Sequence, residues 1–257
     1  MTATRRADTI PPATRRLTMV ILSRLAAALF VIALPVFLVT ANIRWLAGDI
    51  GFYERGFREH DSDQRSGLSF AELDQAGQNI IDYFEDDSRT LRIVVTVNGA
   101  EESLFNARET AHMEDVKVLM RAMFRVNEVA LAIVLAYIAC AVLWSGDRTV
   151  RGLAKLSLAG IGVGIAVVGV VGVFAVTGFD SAWNTFHEIA FSNDLWRLDP
   201  DNDRLIQMFP EPFWEEVTFI VGGLTIAQAT LIVVLSAGYL LFARERQPAD
   251  AHSEPAP

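Results

Sequence analysis

Four apolar runs separate polar segments of very unequal length. The runs cover residues 25–43, 129–144, 156–179 and 217–243. At about 1.5 Å of helix rise per residue, three of them cross a bilayer core of about 30 Å. The second is short unless its helix begins near Ala122. A soluble domain of 257 residues has no use for four such stretches. The pattern therefore predicts a mainly α, polytopic membrane protein with four transmembrane helices.

The two long intervening segments, 44–124 and 180–216, are expected on the outer side as a small α+β extracytoplasmic portion. The first opens with Trp45, Phe52, Tyr53 and Phe57, an aromatic set suited to a membrane interface. Residues 61–72 mimic a calcium loop, but Arg65 stands where an oxygen ligand belongs and Ser66 where glycine belongs. Ser69 and Glu72 read better as a capping box that starts a helix over 70–84, with Leu73, Ala76, Ile80 and Phe84 on one apolar face. The β-branched stretch 91–97 predicts a strand, Asn98-Gly99 a hairpin turn, and 101–105 the returning strand. Asn106 and Glu109 then cap a helix that runs into the second apolar run, with 107–125 as its polar outer extension. At its membrane end, Arg125 can pair with Glu128.

In the first run Pro35 predicts a kink, and in the third Gly160-x-x-x-Gly164 predicts close helix packing. Segment 180–216 carries seven aromatics among acids and is expected as a loop folded onto the bilayer surface. Residues 1–16 and 247–257 are polar, Pro-containing and expected to be disordered, flanking a membrane domain over 17–246.

Charge assigns the sides. Arg5, Arg6, Arg15, Arg16 and Arg24 precede the first run; Arg148, Arg151 and Lys155 lie between the second and third; Arg244 and Arg246 follow the fourth. Short basic loops stay cytoplasmic, so both termini are expected there and both long segments outside. The start of the chain also has the look of a signal peptide ending near Ala41, but a run this long suits an uncleaved anchor. The net charge of −9 is largely extracytoplasmic, and no basic stripe exists for nucleic acid. Cys140 is the one cysteine and lies inside a membrane run, so no internal disulfide forms.

Of four histidines, His60 adjoins an acidic stretch and His252 lies in the tail. His112 and His187 belong to different outer segments near the membrane. Imidazole is the side chain best suited to proton transfer near neutral pH. Arg108, His112 and Asp115 share a helix face, so Asp115 can orient the His112 ring and Arg108 can hold an oxygen. No zinc spacing such as H-E-x-x-H is present.

Phe105-Asn106-x-Arg108-Glu109-x-x-His112-Met113-x-Asp115-Val116-Lys117, then Phe186-His187-x-Ile189-x-Phe191-x-Asn193-Asp194-x-Trp196-x-Leu198-Asp199-Pro200, resembles the lipoprotein intramolecular transacylases. These are four-helix bacterial membrane proteins. The resemblance implies an acyltransferase of the bacterial cell membrane with an extracytoplasmic active site. An acyl chain would move from the diacylglyceryl group to the α-amine of a lipoprotein's N-terminal Cys, giving the lyso-form. It implies His112 and His187 as the catalytic pair, with a diacylated lipoprotein and membrane lipids as partners and neither metal nor cofactor. Arg108 and Asn193 are the candidate oxyanion donors, and Asp115 and Asp199 the candidate ring-orienting groups. Two alternatives remain at this stage: a membrane lipid-ester hydrolase using the same histidines, and a non-enzymatic membrane sensor or assembly protein.

Overall fold

The computed structural model describes residues 12–97, 100–143 and 147–245. Within them the chain runs α1 (Pro12–Ala47), α2 (Ile50–Glu59), α3 (Ser62–Ser66), α4 (Phe70–Glu85), β1 (Val94–Val97), β2 (Ala100–Ser103), α5 (Ala107–Leu143), α6 (Asp147–Ala190), α7 (Arg204–Met208) and α8 (Glu211–Glu245). Helices α1, α5, α6 and α8 are the four long and apolar enough to cross a membrane. The mainly α, four-span architecture expected from the sequence is what the chain adopts. The ends expected to be disordered lie largely outside the described residues, but 12–16 already belong to α1.

Helix α5 has 37 residues, about 55 Å at about 1.5 Å each, well beyond a bilayer core of about 30 Å. The helix is thus long enough for its polar part, 107–125, to extend beyond a span formed by the apolar 126–143. In the bundle α1 packs on α5, α6 and α8, and α6 packs on α8. Gly160 and Gly164 permit the α1–α6 approach. A Cβ on Gly160 would meet the Val31 carbonyl oxygen at 3.0 Å, and one on Gly164 would meet the Pro35 Cβ at 2.7 Å. Amides join helices at depth: Asn42 donates to Thr225 at 3.0 Å and exchanges hydrogen bonds with Gln228, and Asn127 donates to Thr40. Glu128 pairs with Arg44 at 2.8 Å, not with Arg125. The partner comes from the neighbouring helix, and helical spacing could not name it.

The outer layer has its own core, built by α2, α4, the hairpin, the polar half of α5, α7 and the start of α8. Phe52, Tyr53 and Phe57 are buried there against Phe209 and Phe213 instead of lying at the membrane interface, while Trp45 is exposed. Helix α4 begins with the Ser69–Glu72 capping box and ends under Arg121, which donates to the carbonyls of Phe84, Glu85 and Asp86. The strands are antiparallel with Val97 opposite Ala100, and the Asn98-Gly99 turn lies outside the described residues. Buried Lys117 fastens α5 to the end of α4 through Asp86 at 2.7 Å and the face of Tyr83. Segment 180–216 is not a surface loop throughout. Helix α6 continues to Ala190 past a break at Gly178, where φ is 172° and ψ 80°.

Candidate active site

Asn106 starts the construction. Its side-chain oxygen accepts from the amides of Arg108 and Glu109 at 2.9 and 3.0 Å, while Glu109 reaches back to the Asn106 amide at 2.8 Å. This reciprocal cap satisfies amides that the first helical turn leaves open. The same two side chains also bind the second outer segment. Glu109, 1% exposed, accepts from the Leu205 amide at 2.6 Å, and Asn106 donates to Asp203 at 2.7 Å. The start of α5 is thereby locked to the start of α7. Next on the buried face, at helical spacing, comes His112.

His187 arrives from α6, beyond the break at Gly178. Its Nδ1 lies 2.8 Å from the Trp183 carbonyl oxygen, one helical turn earlier. A carbonyl only accepts, so Nδ1 carries the proton and the neutral ring keeps its lone pair on Nε2.

The two rings meet with centroids 6.2 Å apart and planes inclined by 37°. They are 6% and 7% exposed. Phe191 lies 5.1 Å from His112 and 5.7 Å from His187. Trp183 stands edge-on to His187 at 4.4 Å, and Trp196 stacks on it at 4.8 Å. Burial among these rings disfavours the charged imidazolium and pushes His112 down to about 4, with His187 adding to the shift and Asp115 opposing it. Burial likewise lowers His187, partly countered by its bond to Trp183. Both rings are neutral at pH 7. Nδ1 of His112 is buried without a hydrogen-bond partner among the described residues, an open polar atom beside a second imidazole.

The remaining candidates surround this pair unequally. Asp115 acts on His112 through its charge and accepts a hydrogen bond from Asn193 at 2.9 Å; none joins it to the ring. Arg108 donates to the Asp194 carbonyl at 2.8 Å, which uses one of its several donors. Asp199 orients neither ring by a hydrogen bond. Its oxygens accept from the Asp201 amide and the Asn202 side chain and shape their own turn. Sequence reasoning missed the enclosing Trp183, Phe191 and Trp196. Trp183 and Phe191 each stand four residues from His187, a spacing that would have placed them one turn away on a continued helix. For Trp196 no local signal existed.

A family model described as lipoprotein intramolecular transacylase Lit matches residues 28–214. Among solved structures, the chain is similar to that of the membrane integral lipoprotein intramolecular transacylase Lit from Bacillus cereus. The two are 15% identical, with 87% of this chain and 98% of that one covered and a TM-score of 0.70. A variant of the same protein with a histidine replaced by arginine is 16% identical, over 92% and 100% of the two chains, with a TM-score of 0.69. At such identities the likeness concerns the fold. Among curated proteins none matches.

Proposed function

The chain belongs to the lipoprotein intramolecular transacylase family, and from that premise we propose that it moves an acyl chain within a diacylated lipoprotein. The sn-2 ester C–O bond of the diacylglyceryl group breaks, and an amide C–N bond forms on the α-amine of the same N-terminal Cys. The amine's proton ends on the glycerol oxygen, and the product is the lyso-form.

The observation that carries this reading is the meeting of two buried, neutral imidazoles from different segments, 6.2 Å apart. With Nδ1 held by the Trp183 carbonyl, Nε2 of His187 is the base that takes the amine proton and then hands it to the glycerol oxygen. His112, uncharged at neutral pH, lies beside it with a buried, unpartnered Nδ1 and serves as a neutral N–H donor to the tetrahedral oxyanion. Arg108 adds donors at the rim, and Asn193 and Asp115 hold each other in place beside it. The chain's basic flanks support cytoplasmic termini and an outward-facing site in the bacterial cell membrane, where lipidated substrates present their headgroups.

Mass spectrometry of a lipoprotein's N-terminal peptide tests the proposal. The purified protein should leave the total acyl count unchanged and create an acylated amine. His112→Ala and His187→Ala should each slow this by about 10²–10⁴-fold, the range of general acid–base catalysis. Full activity in both variants would refute the assignment.

A further inference from the structure

A transacylase faces a competitor that its substrate cannot avoid. Water can attack the same ester carbonyl, form the C–O bond of a free fatty acid and leave the same glycerol hydroxyl. The base that activates an amine also activates water, so His112 and His187 alone do not choose between the two outcomes. The choice requires that water be kept from the carbonyl while the tethered amine is held near it.

The geometry points to Trp196 as the residue that makes this choice: we propose that the loop 191–203 is a water-excluding cover, with Trp196 its closing plate over His187. This rests on the acyl-transfer reading and deepens it. Trp196 lies nearly parallel to His187, centroids 4.8 Å apart at 26°. Its other neighbour is Arg197, whose guanidinium sits 4.5 Å from the Trp196 ring centroid. Arg197 is itself tied to Asp194 at 3.0 Å within the loop and to Glu188 at 3.5 Å on α6. The loop's first residue, Phe191, touches both imidazoles. Three links fasten the cover to α5: Asn193 to Asp115, Arg108 to the Asp194 carbonyl, and Asn106 to Asp203. Every one lies at the rim or beyond. Over His187 the cover presents the face of Trp196, and against His112 it sets the Phe191 ring nearly perpendicular; their ring carbons give water no strong hydrogen bond. The near-complete burial of two titratable rings in a site that must admit a lipid ester is the signature of such a cover in its closed position.

The experiment reads a partition, which a merely structural role would not move. A diacylated lipopeptide is incubated with the purified protein in detergent, and mass spectrometry gives the ratio of released fatty acid to N-acylated peptide. Trp196→Ala should raise that ratio about tenfold or more by admitting water to the carbonyl, whereas Trp196→Phe, which keeps an aromatic plate, should stay near the parent ratio. Arg197→Ala, an exposed change that leaves the fold intact, should raise it by a smaller factor. If Trp196→Ala fails to fold, Arg197→Ala decides. An unchanged ratio in folded Trp196→Ala, or in Arg197→Ala where Trp196→Ala does not fold, overturns the proposal, even when total turnover falls. Absence of any N-acylated product from the parent protein would instead refute the acyl-transfer reading.

Discussion

In the outer layer Phe57, Leu73 and Met208 are completely enclosed by bulky neighbours. Among the membrane helices α1 and α6 approach closely at glycines, Gly160 beside Val31 and Gly164 beside Pro35, where a side chain would not fit without a shift. The outer layer faces water, so apolar area removed from solvent drives its assembly. The bundle faces lipid, which is as apolar as its own side chains. There association relies on close approach and on a few interhelical amides. The long apolar side chains Leu25, Val129, Val170 and Leu235 accordingly stay exposed on the bundle surface. A site that needs buried, precisely oriented polar groups is best built on the first kind of structure, and the histidine pair sits there.

The comparison breaks most visibly at Glu109. It is enclosed in the outer layer and accepts from two backbone amides in different segments. Glu109→Ala leaves the buried Leu205 amide without its partner and opens the cap at Asn106, at a cost of about 3 kcal/mol. Thermal unfolding in detergent should show that loss, and amide exchange should quicken at Leu205 while the amides of α1 and α8 keep their protection. Equal quickening throughout would mean that the two regions do not unfold separately.

Acidity sharpens the same contrast. A histidine held neutral in the folded state and free to charge in the unfolded state makes the unfolded state bind more protons as pH falls. Stability is complete above the unfolded value of about 6.5 and declines as pH drops towards about 4, the folded value of His112. At pH 5 this removes about 2 kcal/mol for His112 alone, and His187 acts in the same direction. Melting in detergent between pH 7 and 5 should fall in the parent protein and fall less steeply in His112→Gln, where His187 remains. A slope unaffected by that substitution would show that the ring is not held neutral.

The sequence disclosed what local periodicity and spacing encode. Four spans, the Ser69–Glu72 box, the hairpin and the continuous α5 all follow from patterns within a few residues, and the structure has them. His112 and His187 were visible as residue types in separate polar segments, but their meeting depends on the Glu109–Leu205 and Asn106–Asp203 links between those segments. Tertiary partners were not legible. Glu128 has Arg125 three residues away, yet its partner is Arg44, 84 residues distant. The aromatics of α2 carry the composition of a membrane interface, but α7 and the start of α8 cover them. Helix α6 was cut short because Gly178 and Asp180 end its apolar run, although the backbone recovers helical geometry immediately after the break. Trp196 lay beyond local reasoning because stacking across a loop leaves no period in the sequence.

The smallest expected effect lies in the bundle, at Asn42. Its amide is as buried as many groups of the outer layer and makes three hydrogen bonds to α8. By the accounting that applies to Glu109, Asn42→Leu should be costly. In a membrane the reference state differs: separated helices remain helical and solvated by lipid, and a freed Gln228 finds another partner along its own helix or on a neighbour. Such interhelical bonds are worth about 0.6 kcal/mol on average and up to about 1.7. Asn42→Leu should therefore lower stability in detergent by less than Glu109→Ala, with the histidine site and its products unchanged. A loss as large as that of Glu109→Ala would show that the α1–α8 amide cluster contributes as much as a buried group of the outer layer, and the distinction between the two regions would fail where their chemistry looks most alike.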